Sequence, residues 1–131
     1  MTLPAIVSDR VLTAARAAQE KVGENIVAFE VGERLGLADI FLIVSGGSER
    51  QVEAIAEEIE EQLRLQHADH PLRREGKGNG HWVLLDYGDI VVHVQHPEDR
   101  AFYALDRLWS DCPQFDLSEA LAQPSGATQS N

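Results

Sequence analysis

The segment IFLIVSGGSERQVEAIAEEIEEQLRLQ (40–66) decides how the rest of the chain is read. Its first six residues are a nearly continuous apolar run, the pattern of a strand buried on both faces. Two glycines follow, and then the period changes. Val52, Ile55, Ala56, Ile59 and Leu63 recur at helical spacing, while Glu53, Glu57, Glu58, Glu60 and Glu61 make an acidic flank expected to face solvent. Ser48 stands where an N-cap belongs, and Gln51, three residues on, can reach back to complete a capping box. Burying the stripe contributes on the order of 5–10 kcal/mol before conformational entropy is charged against it. A strand followed by a long amphipathic helix is half of an α/β unit.

Upstream, residues 4–22 predict a helix. Pro4 suits a first turn, Val7, Val11, Ala15, Ala18 and Val22 repeat along one side, and Gly23 suits the stop. NIVAFEV (25–31) reads as a strand, and GERLGLAD (32–39) as a connection. Downstream, HADHPLRREGKGNG (67–80) is a polar loop. WVLLD (82–86) and IVVHV (90–94) predict two strands around a Tyr87-Gly88 turn. Pro97 opens a last helix whose buried face would hold Ala101, Phe102, Leu105, Leu108 and Trp109. The order helix, strand, strand, helix, strand, strand, helix implies an α/β fold: a mixed sheet of about four strands with packed helices. The crossover from 40–45 through the long helix favours parallel pairing with 82–86. Residues 1–122 form a single domain, and QPSGATQSN (123–131) has the composition of a disordered tail.

The bulk numbers narrow the function. The chain has 131 residues and a formal net charge of −11. Such acidity disfavours direct nucleic-acid binding, which rests on Lys and Arg neutralising phosphates, and it steers the protein towards a basic partner. Solubility alone also explains acidity. No run of eighteen apolar residues is present, so no membrane span is expected. Asp9 and Arg10 interrupt any hydrophobic leader, and the single cysteine, Cys112, has no partner for an internal disulfide. A cytoplasmic protein is expected.

Several motifs imitate catalytic chemistry without completing it. SGGS (45–48) joins a strand to a helix N-terminus, a place suited to anions, but lacks the lysine of a phosphate-binding loop. A nucleotidyltransferase-like arrangement would need carboxylates converging on a following strand; Asp86 ends that strand and Asp89 lies beyond a turn. His67 and His70 flank Asp69, and His93 and His96 form a second pair, yet neither pair shares a helical face and no cysteine is near. Cys112 has no evident histidine to activate it. No metal, cofactor or catalytic residue is therefore assigned. The rival enzymatic reading is a metal-dependent nucleotidyltransferase or phosphohydrolase using Asp86, Asp89 and the SGGS turn.

The hairpin is better specified. A two-residue Tyr87-Gly88 turn pairs Asp86 with Asp89, Leu84 with Val91, and Trp82 with His93. One face then carries Val83, Leu85, Ile90, Val92 and Val94. The other mixes Trp82, Leu84, Asp86, Asp89, Val91 and His93. Two carboxylates directly opposite cost roughly 0.2–1 kcal/mol unless donors relieve them. That cost suggests an outside partner, and the mixed face has the composition of an interface. The alternative is that a helix covers this face and Arg100 pairs an aspartate internally.

HWV, LLDYG, DIVVHV and RAFYALDRLW (100–109), with ADIFLIVSGGSERQVEAIAEEIEE upstream, resemble the Iojap or ribosomal silencing factor family over roughly residues 8–112. The chain departs from the common pattern at Ala38, Ile40, Gly47 and Gln95, the last standing where an aromatic residue often follows HV. The resemblance implies a nucleotidyltransferase-like fold without transferase chemistry. It implies binding to the large ribosomal subunit through its ribosomal protein number fourteen, at the face that meets the small subunit. Blocking that face would prevent subunit joining and slow translation when nutrients are short. It also implies a homodimer. By motif, Trp82, Asp86, Tyr87, Gly88, Asp89 and His93 carry over as recognition candidates, with Trp82 as anchor. Leu84, from the mixed face, and Arg100, which opens RAFYALDRLW, complete the expected partner-binding set.

Overall fold

A computed structural model describes residues 3–76 and 80–121, the Leu35 side chain excepted; the expected tail at 123–131 lies outside the described residues. In chain order the elements are α1 (Ala5–Glu20), β1 (Glu24–Glu30), α2 (Gly32–Leu35), β2 (Ile40–Ser45), α3 (Glu49–His67), β3 (Arg73–Glu75), β4 (Trp82–Asp86), β5 (Ile90–Gln95), α4 (Pro97–Tyr103), α5 (Leu105–Leu108) and α6 (Ser118–Leu121). The five strands form one mixed sheet in the order β1-β2-β5-β4-β3.

The most apolar strands take the interior of this sheet, as the desolvated positions require. β2 pairs in parallel with β5, from Ile40 opposite Ile90 to Ser45 opposite Gln95, and the other pairings are antiparallel. This corrects the expected pairing of 40–45 with 82–86. The crossover through α3 is present, but it returns to the second strand of the hairpin. IVVHVQ takes the central slot, and β4, with its more polar alternate residues, is displaced outward. A fifth strand, β3, lies inside what reads as a polar loop. Its three residues, Arg-Arg-Glu, carry no apolar alternation to announce it.

α1 and α3 cover one face of the sheet. Val7, Val11, Ala14 and Ala18 from α1, and Val52, Ile55, Ala56, Ile59 and Leu63 from α3, pack on Ile40, Leu42, Val44, Val83, Leu85, Val92 and Val94. The α3 stripe is buried as its spacing predicts. Its acidic flank is not wholly solvated, because Arg74 of β3 donates to Glu53 and Glu60, each at 3.0 Å. Ser48 Oγ caps α3 by accepting from Gln51 N–H, but the box does not close on Ser48. Gln51 Oε1 instead accepts from Gly47 N–H, and its amide nitrogen donates to the Lys21 and Val22 carbonyls, tying α3 to the end of α1. α1 stops at Glu20, and Val22 lies outside it, 66% exposed.

The C-terminal part departs most from expectation. One helix with a buried face becomes two short ones, broken at Ala104, whose φ of 51° lies in the left-handed region. Leu105 and Trp109 pack against a second cluster of Phe29, Val31, Ile43 and Cys112. Ala101, Phe102 and Leu108 are exposed. The break turns Phe102, which precedes it, away from the face that holds Leu105 and Trp109. Beyond α5, the segment 113–115 bonds back to β1 and protects its edge, through Glu30 N–H to the Pro113 carbonyl and Phe115 N–H to the Ala28 carbonyl. No helix among the described residues is long and apolar enough to cross a membrane.

Candidate docking face

The sheet face opposite α1 and α3 carries the mixed residues. Cross-strand register arranges them in rows: Ser45, Gln95 and Trp82; then Ile43, His93, Leu84 and Glu75; then Phe41, Val91, Asp86 and Arg73. The hairpin turn that sets these rows is Gly88-Asp89, not Tyr87-Gly88. Tyr87 N–H donates to the Ile90 carbonyl at 2.8 Å, and Gly88 takes φ 90°, a conformation that glycine adopts without a Cβ penalty. The slide of two positions pairs Asp86 with Val91, Leu84 with His93, and Trp82 with Gln95. Because side chains alternate with period two, Trp82, Leu84, Asp86, Val91 and His93 keep their face, whereas Asp89 leaves it for the turn. The expected Asp86–Asp89 pairing disappears, and with it the repulsion that suggested an outside partner.

The two aspartates are satisfied separately. Asp86 Oδ1 accepts from Gly88 N–H at 2.8 Å, and Oδ2 lies 3.5 Å from Arg73. Asp89 receives both terminal nitrogens of Arg10, at 2.8 and 2.9 Å, while Arg10 Nε donates to Asp69. The hydrogen bonds from Arg10 hold the Asp89 carboxyl below its ordinary pKa against an opposing desolvation. Arg10 thereby fastens α1 to the α3–β3 loop and to the hairpin turn. Two carboxylates held by different arginines do not converge on a shared cation.

The other candidate residues separate in the same way. Tyr87 points into the main core at 6% exposure, and burial pushes its phenol pKa up. Arg100 takes the internal pairing: Nε and Nη2 donate to Asp106, Nη1 to Ser45 Oγ at 2.9 Å, and Nη2 also to the Asn25 carbonyl. His93 is 5% exposed, and burial lowers its pKa to about 4. Its Nδ1 accepts from Trp82 Nε1–H at 3.2 Å, which leaves the single ring proton on Nε2. His67 and Thr13 lie 2.9 Å apart through Nε2 and Oγ1, and His96 Nδ1 caps α4 at Glu98 N–H. Among the described residues, no group of three or more His, Cys, Asp or Glu is placed to hold a metal ion. In the SGGS turn, the Gly46 and Gly47 amides are engaged by the Gln95 carbonyl and the Gln51 side chain.

Trp82 and Leu84 remain as half-buried members of the face, and they meet residues that strand reasoning did not supply. The Tyr103 ring lies 4.7 Å from that of Trp82, and Phe102 stands edge-on to Tyr103. Glu75, Gly76, His81 and Asp99 join Trp82, Leu84 and Tyr103 around an open groove of about 430 Å³. Phe102 is 80% exposed and Tyr103 50%. The signal for Tyr103 was present in RAFYALDRLW, but as part of a helix expected to bury a different side. Glu75 and His81 sat in a loop with no periodicity to orient them.

Fold and face together define a single-domain mixed α/β protein with a half-buried aromatic groove beside one sheet edge, in which Asp86 and Asp89 are held apart by different arginines. The family model described as ribosomal silencing factor during starvation matches residues 4–131. The chain belongs to this family, one of ribosome silencing and translation regulation. A ribosomal silencing factor of Bacillus subtilis is 41% identical over 110 residues, covering 84% of this chain and 92% of that protein. The mouse protein named mitochondrial assembly of ribosomal large subunit protein 1 is 28% identical, over 70% of this chain and 41% of that one. A crystal structure of a protein from Chromobacterium violaceum superposes with a TM-score of 0.76 at 31% identity, covering 79% of this chain and 86% of that one.

Proposed function

We propose that this protein represses translation by binding the large ribosomal subunit through its ribosomal protein number fourteen and sterically blocking the small subunit, under nutrient limitation. The observation that carries the reading is the Trp82–Leu84–Tyr103 groove with Glu75 and Asp99 at its rim. Aromatic residues that are partly wrapped yet still accessible are the usual anchors of protein interfaces, and an acidic rim suits a basic ribosomal protein. Family membership supplies the ribosome, and the name of the mouse relative couples that protein to the large subunit. The action is that of a bound body, carried out in the cytoplasm without a chemical step. The enzymatic alternative needs converging carboxylates, and Asp86 and Asp89 face different arginines.

Sedimentation of purified subunits tests the reading. Saturating protein is expected to deplete whole ribosomes and to travel with the large subunit; undiminished whole ribosomes would overturn it. Trp82→Ala is expected to weaken large-subunit binding by about 2 kcal/mol, the scale of an interface hot spot. Because Trp82 also bonds His93, its thermal unfolding is compared first. Leu84→Arg, which leaves that bond intact, is expected to weaken binding as well.

A further inference from the structure

The row Ser45–Gln95–Trp82 contains an anomaly that the docking face does not explain. Gln95 is fully buried, yet among the described residues neither its amide oxygen nor its amide nitrogen has a hydrogen-bond partner. Its neighbour on the same face, His93, has an unpartnered Nε2. A buried amide left unpaired on both atoms costs free energy that water or a partner would return.

The element across this row is α4. Arg100 reaches Ser45 on one side of Gln95, and Tyr103 meets Trp82 on the other, so the helix bridges the glutamine. α4 has no buried residue of its own. Its largest apolar side chain, Phe102, faces solvent. What fastens it is the polar Arg100 set, the ring contact of Tyr103, and the 3.7 Å approach of Asp99 to His81. It runs between Pro97, behind the His96 cap, and the left-handed Ala104. A seven-residue helix held by polar ties over unpaired polar groups is weakly committed to its place.

We propose that α4 is a movable cover, and that lifting it presents Gln95 and His93 as the polar part of the docking face for the ribosomal protein. This rests on the proposed function. The Gln95 amide offers one donor group and one acceptor, the complement of a peptide group on a partner chain. In the closed form Tyr103 and Asp99 of α4 complete the groove that the partner meets first. With α4 lifted they move away, Trp82 and Leu84 supply the apolar part of the opened face, and Arg100 is the latch of the closed state.

Two measurements test it. In the free protein, hydrogen exchange of the amides at 98–103 is expected to be much faster than that of the α3 interior; equal protection would overturn the cover. Gln95→Met removes the unpaired amide at similar volume and favours the closed form. It is expected to raise the melting temperature by about 3 °C and to slow association with large subunits by roughly tenfold. A raised melting temperature with unchanged association would mean that the closed face is the one that binds, and the proposal falls. A lowered melting temperature would mean that the amide is bonded in the resting protein, and the premise falls. Wild-type protein that does not bind large subunits defeats the functional reading instead, and hydrogen exchange still decides whether α4 is held.

Discussion

His93 shows how much a single position can hide. Strand alternation puts it on the mixed face, and that placement is right. What alternation cannot register is that Trp82 leans over it and Phe41 packs at its edge, with ring centroids 4.9 Å apart. Exposure on that face is set by elements far along the chain, so a residue expected at a surface is 5% exposed. Burial lowers its pKa from 6.5 to about 4. The unfolded chain therefore takes up a proton on this histidine at a higher pH than the native protein does. Native stability is undiminished above pH 6.5, falls as pH drops from there, and the loss levels off near pH 4, where the folded ring also protonates. Protonation would also place a hydrogen on Nδ1 against the Trp82 donor. His93→Gln keeps an acceptor without a titrating ring. Chemical denaturation at a series of pH values is expected to show wild type losing about 3 kcal/mol more than this variant across that interval. Parallel curves would mean that the ring is solvated in the native protein.

At the scale of elements, periodicity was informative where one stripe meets one core, and silent where geometry turns on a backbone special. α1, β1, β2, α3 and the hairpin are legible because their apolar positions recur with period 3.6 or 2. The hairpin slid by two residues because parity cannot distinguish registers that differ by two. Tyr87 was read as a turn residue for that reason, and it belongs to the core. Ala104 broke the last helix without a glycine or proline to announce it. β3 is legible only through its consequences, chiefly the close approach of its following residue, Gly76, to β4. Gly76 takes φ 85°, and a Cβ there would sit 1.9 Å from the Trp82 carbonyl oxygen, which is backbone and cannot rotate away. Gly76→Ala is therefore expected to cost about 3 kcal/mol or more, combining left-handed strain with a backbone clash. It would do so by peeling β3 from β4 and freeing Arg74 from Glu53 and Glu60. Urea unfolding measures the loss, and hydrogen exchange in 82–86 locates it. A variant of wild-type stability would show that the β3–β4 edge is open in solution.

For the whole molecule, the formal net charge of −11 is a stronger constraint than any single pair. An acidic body approaching a ribosome meets two opposed fields: nucleic-acid phosphates repel it, and basic ribosomal proteins attract it. Which field dominates the final approach fixes the sign of the salt dependence. Repulsion relieved by screening would make association faster as salt rises. Attraction by a basic protein patch would make it slower, because the Debye length shrinks from roughly 20 Å at about 0.02 M to roughly 4 Å at about 0.5 M. The groove is lined by Glu75 and Asp99, with Glu49 3.2 Å from His81 beside it. Arg73, 3.2 Å from Glu75, offsets one of these charges and leaves the surface offered to the partner net acidic, the sign of the whole. Steering by rim charges acts on the association rate more than on dissociation. Stopped-flow mixing with large subunits at fixed magnesium is expected to show the association rate constant falling by about tenfold or more over that salt range, with dissociation changing less. Glu75→Gln combined with Asp99→Asn is expected to flatten the slope. An association rate that rises with salt would place nucleic acid, rather than a basic protein, opposite this face, and would remove ribosomal protein number fourteen as the docking partner.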